Sequence, residues 1–341
     1  MSEKQNPLAG GGALAVGEPI LSVRDLQVRF RTGKRVVQAV DKVNFSVGPG
    51  EVIGIVGESG SGKSVTSMAI MGLLPKRTAE VEGVAEYDGQ NLLTMKTDRL
   101  AKLRGHDLAM VFQDPMSSLN PVMTVGAQVA EVLLAHEKIS RADAKAESID
   151  LLRRCGIPDP ARRYGEYPHQ LSGGMRQRAL IATALACKPR LLICDEPTTA
   201  LDVTIQAQIL ELLAELVRDS GASMIMITHD LGVVAGLCDH VNVMYAGRIV
   251  ETANRRDIFA HPRHRYTAGL LQSIPRLDGD RSERLVPIPG TPRDTIGWDV
   301  ACAFAPRCRS ATDACVTSDL QLTSDGDHAW RCVHPVEEGI R

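Results

Sequence analysis

Eight consecutive residues, Gly57-Glu58-Ser59-Gly60-Ser61-Gly62-Lys63-Ser64, carry the most specific chemistry in the sequence. They fit GxxxxGK[ST]. At that spacing backbone N–H groups wrap a phosphate chain, the lysine reaches the outer phosphate oxygens and the final hydroxyl ligates Mg²⁺. Glycines are required because a Cβ would obstruct both the turn and the close approach of phosphate. The loop therefore predicts ATP as ligand, with Ser64 on the metal ion. A second element pairs with it: the apolar run Leu191-Leu192-Ile193-Cys194 ends in two carboxylates, Asp195 and Glu196. Beside a phosphate loop, the first carboxylate holds Mg²⁺, usually through water, and the second orients or deprotonates the attacking water. Cys194 reads as core filler, since a small buried thiol behaves as a hydrophobe. His229 follows the apolar run Met224 to Thr228, where an imidazole would meet a γ-phosphate. Gln113, after Val111-Phe112, is placed to reach Mg²⁺ or the attacking water.

These residues need a scaffold that brings strand ends together. Strand patterns run from Ile20 to Phe30 and from Val36 to Val47, predicting a small β-rich lobe. Glu51 to Gly57 is a short β-branched run, followed by the glycine-rich turn and a helical stretch from Lys63 to Leu74. Helical spacing over Gly126 to Arg154, broken by Pro158, Pro160 and Pro168 before a helix at Gly173, predicts an inserted helical lobe at about 115–180. The apolar runs at 191–194 and 224–228 read as buried parallel strands with a site at their C-terminal ends. The order predicts an α/β fold with an open parallel sheet. Residues 1–18 read as a flexible leader. Beyond about residue 255, seven of the eighteen prolines and four of the eight cysteines mark a C-terminal extension, 256–341, distinct from a nucleotide-binding domain over 19–255.

Composition sets the remaining bounds. With 341 residues, 44% hydrophobic and 23% charged, the chain can bury a large core and is not of disordered type. A net charge of -2 gives no global case for nucleic acid, and none is expected as a partner. No apolar stretch of about eighteen residues is present and the first residues lack a signal-peptide core, so the expectation is a chain that stays on the cytosolic side.

One further segment separates the classes of ATPase. Leu171-Ser172-Gly173-Gly174-Met175, followed by Gln177 and Arg178, resembles the signature of ATP-binding cassette (ABC) proteins. The resemblance covers about residues 20–255. It makes Phe30 the aromatic that stacks on adenine, Gln113 the Q-loop, Asp195 and Glu196 the Walker B pair, Ala200-Leu201-Asp202 the D-loop and His229 the switch histidine. It implies a P-loop ABC nucleotide-binding domain with a RecA-like parallel core, an N-terminal antiparallel β lobe and a helical lobe. Ser172, Gly173 and Gly174, at a helix N-terminus, would form a second anion cradle for ATP on another cassette, so two cassettes pair head to tail.

A narrower resemblance is to the ATPase subunits of oligopeptide and dipeptide importers, with nickel and glutathione importers sharing the features. It rests on Phe112 to Pro121 (FQDPMSSLNP), Tyr167-Pro168-His169-Gln170, and the tail Tyr266-Thr267-Ala268-Gly269-Leu270-Leu271 with Ser273 and Pro275. The tail departs from the usual pattern at Arg265, where proline normally precedes the tyrosine. The resemblance implies a second, related cassette, two transmembrane permease subunits and an extracellular or periplasmic substrate-binding protein. The chain would then sit peripherally on the cytoplasmic side of the membrane. The rivals are a soluble cassette ATPase working on DNA or ribosomes, which usually has long coiled coils or two cassettes per chain, and a redox sensor built on the cysteine tail.

Cys302, Cys308, Cys315 and Cys332 crowd the extension, where a reducing compartment disfavours disulfides. Their spacing is unusual for a zinc ribbon. Some members of the resembled subfamily are thought to hold a 4Fe–4S cluster here. Iron–sulfur, zinc and unligated thiols are all open readings.

Overall fold

The computed structural model describes residues 17–33, 35–199, 201–273, 287–292, 301–317 and 320–337. Most of the expected leader, Ala200 of the D-loop segment and Pro275 of the tail motif lie outside the described residues. In chain order the strands are β1 (Leu21–Thr32), β2 (Arg35–Val47), β3 (Val52–Val56), β4 (Ala79–Tyr87), β5 (Gln90–Asn91), β6 (Leu108–Val111), β7 (Leu191–Asp195), β8 (Ser223–Thr228), β9 (His240–Tyr245), β10 (Arg248–Asn254), β11 (Thr323–Asp325) and β12 (His328–Trp330).

Two sheets result. β2-β1-β4-β5 forms an antiparallel lobe, and the main sheet runs β11-β12-β10-β9-β3-β8-β7-β6. Its middle is parallel, β9-β3-β8-β7-β6. Every residue of β7 and β8 is buried, as strands covered on both faces must be. The period of two sends alternate side chains to opposite cores. Ile53, Ile55, Leu191, Ile193, Ile225 and Ile227 pack toward the β lobe. Leu192, Cys194, Met224, Met226, Val241 and Val243 pack toward the helical side. Cys194 is the fully buried filler its position suggests, its thiol pushed far up by loss of solvent.

The sheet is mixed rather than purely parallel. Ala246 and Gly247, both at positive φ, make a two-residue turn between Tyr245 and Arg248 that folds β10 back on β9. β12 then pairs antiparallel with β10 and β11 with β12. The strands beyond residue 255 are thereby hydrogen-bonded into the main sheet. Behind the seam, Glu251 is fully buried and accepts from the backbone N–H groups of Arg263 and His264, and its carboxylate meets His328 Nε2 at 2.7 Å.

The helical insertion holds helices Val125–His136 and Arg141–Arg154, the second capped by Ser140. They pack with helix Gly173–Ala184 in one core. The helix after the phosphate loop is shorter than the predicted Lys63 to Leu74: it runs Lys63–Ile70. Gly72, at φ +60°, closes it, and the N–H of Leu73 reaches back to the Met68 carbonyl in a glycine-dependent cap.

Candidate functional site

The site forms where β3, β7 and β8 end. After β3 the chain passes under β9 so closely that a Cβ on Gly57 would lie 2.1 Å from the Met244 carbonyl oxygen. Gly62 caps the following helix at φ +104°, with the Ala39 carbonyl 2.6 Å from where a Cβ would stand. No side chain fits at either place. Gly57, Glu58, Ser59, Gly60, Gly62, Lys63 and Ser64 line one large cavity, joined there by Gln113, Glu196 and His229. Ser61 is buried beneath the loop.

At that cavity and just beneath it the predicted residues touch. Ser64 Oγ donates to Asp195 Oδ1 at 2.8 Å. Glu196 is the hub: Gln113 Nε2 donates to Glu196 Oε2 at 3.1 Å, His229 Nδ1 stands 3.3 Å from that oxygen, and Lys63 Nζ is 3.7 Å from Oε1. Thr199 Oγ1 also donates to Oε2, at 3.0 Å. Thr199 belongs to none of the motifs that mark the other residues, although it stands three residues after the second carboxylate. Glu196 itself sits at φ +46°, a conformation costing an ordinary residue about 1–2 kcal/mol. Its N–H bonded to the Ile227 carbonyl holds it there, a strain of the kind that collects at functional sites.

Electrostatics follow burial. The Lys63 ammonium, 4% exposed, donates to the carbonyls of Gly57 and Glu58. Burial pulls its pKa down, against the pull of Glu196 and Asp195. Burial likewise raises Asp195, and the Ser64 hydrogen bond partly offsets it. Hydroxyl and carboxylate oxygens so placed suit a hard cation such as Mg²⁺.

Comparison with known proteins fits this geometry. A family model described as ABC transporter matches residues 40–199, and one described as Oligopeptide/dipeptide transporter, C-terminal region, matches residues 250–315. The chain is 52% identical over 314 residues to the oligopeptide transport ATP-binding protein OppD of Haemophilus influenzae, covering 92% of this chain and 97% of that protein. It is 52% identical over 299 residues to the dipeptide transport ATP-binding protein DppD of Bacillus subtilis, covering 87% and 89%. The chain belongs to the ABC transporter family, as an ATP-binding protein of the oligopeptide/dipeptide importer type. A solved ATP-binding cassette, dimeric and in a post-hydrolysis state with ADP and Pi, matches with a TM-score of 0.63 at 27% identity, over 69% of this chain and 99% of that one.

Other cassette positions lie apart from the cavity. Phe30 is on β1, partly buried against the β-lobe core, and does not line it. Ser172 and Gly173 are exposed at the start of helix Gly173–Ala184, with the Ser172 hydroxyl accepting from the Met175 N–H. Asp202, also exposed, caps helix Val203–Ser220 by accepting from the Ile205 N–H. Gly174 packs on Ile205, so signature and D-loop share a surface.

The importer-type tail contributes more than its motif suggests. Leu270, Ser273, Pro287, Ile288 and Pro292 wall the same cavity. Tyr266, fully buried, accepts the Glu58 N–H at 2.9 Å. The departure at Arg265 costs no docking: His264 caps helix Arg265–Gln272 in place of a proline-led start. The Arg265 guanidinium ties to the carbonyls of His334 and Pro335. The four extension cysteines line one small cavity beside Phe304 and His264. Burial raises the Cys302 thiol to about 11, and the Cys332 thiol upward too, with other thiols of the set adding to each. Among the described residues, no three His, Cys, Asp or Glu side chains stand in a ready-made metal geometry. Nor, among the described residues, is any helix long and apolar enough to cross a membrane.

Proposed function

We propose that this ATPase subunit powers import of peptides by pairing with a second, related cassette beneath two permease subunits, at the cytoplasmic face of the membrane. A substrate-binding protein outside would deliver the cargo. The peptide reading is carried by relatives named for oligopeptide and dipeptide transport. ATP closes the pair, closure moves the permeases, and hydrolysis reopens it. Lys63 and the loop N–H groups would hold the β- and γ-phosphates, while Ser64, Asp195 and Gln113 would hold Mg²⁺, a group that supplies positive charge to offset charge developing on the phosphates. Glu196 takes the proton of the attacking water, and His229 contacts the γ-phosphate. Phe30 stacks on adenine, and Ser172, Gly173, Gly174 and Asp202 face the partner's nucleotide.

The observation that carries the mechanism is the convergence of Lys63, Gln113, Thr199 and His229 on one carboxylate, Glu196. In the assembled transporter, Glu196→Gln is expected to keep ATP binding and lose about 10²–10⁴-fold in hydrolysis. Hydrolysis at the parent rate would remove Glu196 as the base.

By donor type the four thiols around one cavity match an iron–sulfur cluster, with zinc the alternative, although as placed no three of them stand in a metal-binding geometry. Cys302, Cys308, Cys315 and Cys332 would hold it, and it would supply a staple for a proline-rich segment. Anaerobic preparation is expected to give iron, sulfide and broad absorbance at about 400 nm. Zinc without iron would select the alternative metal, and four freely titrating thiols would end both metal readings.

A further inference from the structure

Glu58 is out of keeping with its surroundings. It is the second residue of a loop that must receive a polyanion, yet its side chain carries a negative charge and remains 26% exposed. That charge reaches the phosphate-binding group, since Glu58 is among the carboxylates acting on Lys63.

The extension answers it. Arg307, distant in sequence and with a side chain only 5% exposed, grips Glu58 with both guanidinium nitrogens: Nη1 to Oε2 at 2.6 Å and Nη2 to Oε1 at 3.0 Å. The arginine is itself fixed, with Nε donating to the Pro289 carbonyl and the guanidinium lying against the rings of Tyr245 and Phe304. Tyr245, Tyr266 and Phe304 pack as a cluster of rings around it. The remaining polar groups of Glu58 are also held: its N–H by Tyr266, and its carbonyl by Lys63 Nζ and the Ser61 N–H.

We propose that Arg307 is a positioning residue of the ATP site: it neutralises Glu58 and, with Tyr266, holds the phosphate loop in its phosphate-receiving form. The C-terminal extension is thereby a working part of the nucleotide site. A pair serving only to glue the extension down gains little from charge, because ion pairs taken out of water are often no better for stability than apolar packing. Charge matters where a phosphate follows. With Arg307 in place the loop presents Lys63 and N–H dipoles without an opposing carboxylate, and a forked, bidentate grip fixes direction as well as charge. Loss of Arg307 leaves an uncompensated anion beside the triphosphate, and the penalty falls on nucleotide binding rather than on the chemical step.

The proposal rests on Gly57–Ser64 being the ATP site, and Lys63→Ala keeps the two questions apart by testing that site directly. In the assembled transporter, steady-state ATPase is measured for Arg307→Ala, Arg307→Lys and Arg307→Ala with Glu58→Gln. Arg307→Ala is expected to raise KM for ATP about tenfold or more with a smaller change in kcat, and Arg307→Lys to raise it less. Adding Glu58→Gln to Arg307→Ala is expected to recover most of the loss, because removing the carboxylate removes what the arginine compensated. An unchanged KM in Arg307→Ala, while Lys63→Ala abolishes binding, would overturn the proposal. So would a double variant as impaired as Arg307→Ala. Should Arg307→Ala fail to accumulate, Arg307→Lys decides: a parent-like KM overturns the proposal and a severalfold rise supports it.

Discussion

The phosphate-loop region and the signature region are built on opposite plans. Around Gly57–Ser64 the chain finishes its own work: Lys63 and Asp195 are buried, and Glu196 is contacted from four segments of sequence. Around Ser172–Gly174 it leaves the work open, with an exposed helix start whose capping hydroxyl bonds its own helix and whose neighbour Asp202 is also exposed. A completed half and an exposed half on one chain are what the proposed head-to-tail pair requires, since each member would supply what the other lacks.

Substitutions should divide along this line. The largest effect belongs to Lys63→Ala, which removes the buried cation and should weaken ATP binding to this chain by roughly 100-fold or more, read by equilibrium nucleotide binding. Gly173→Asp puts a carboxylate where the proposed pairing has the partner's nucleotide phosphate received. ATP affinity of the chain's own loop should be unchanged, while turnover of the assembled transporter falls at least about 100-fold. Loss of this chain's own ATP binding in Gly173→Asp would erase the contrast between the regions. Thr199→Val tests how far the completed half depends on one hydroxyl: removing about 1 kcal/mol of orientation on Glu196 should lower kcat roughly fivefold and leave KM for ATP in place.

The smallest effect lies away from both halves. His240, on β9, is half-buried with Nε2 at 2.9 Å from the Thr252 hydroxyl, which itself donates to Asn242. Burial holds its pKa below the ordinary value, His328 adds to this, and Glu51 and Asp327 pull the other way. The unfolded chain therefore binds the extra proton first, so this histidine costs stability as pH falls below about 6.5 and costs nothing above it. In His240→Gln the fall in Tm from about pH 7 to pH 5 should shrink by on the order of 2 °C, measured by calorimetry.

What the sequence disclosed follows the same division between local and distant. The loop, the strand ending in Asp195-Glu196, His229 and Gln113 are short local patterns, each at a strand end. A strand end is where a parallel sheet gathers its chemistry. Thr199 was within sight of that pattern but is a common residue in a turn. Arg307 carried no signal at all, and Tyr266 was legible as part of the tail motif but not as a support of the phosphate loop, because their partner Glu58 is far away in the chain and only the route of the extension brings them together. The antiparallel edge of the sheet was missed for a related reason: the turn at Ala246-Gly247 depends on a non-glycine residue at positive φ, and β12 is three residues long. Neither leaves a periodic trace.

If the exposed signature of one cassette completes the loop of another, a chain that binds ATP but cannot hydrolyse it stays paired. Full-length Glu196→Gln, alone and mixed with its partner cassette, is examined by light scattering with and without ATP. A doubling of mass is expected to appear with ATP and to be cancelled when Gly173→Asp is combined with the equivalent change in the partner cassette's signature. A chain that binds ATP at its loop yet keeps the single-cassette mass in both settings would contradict it.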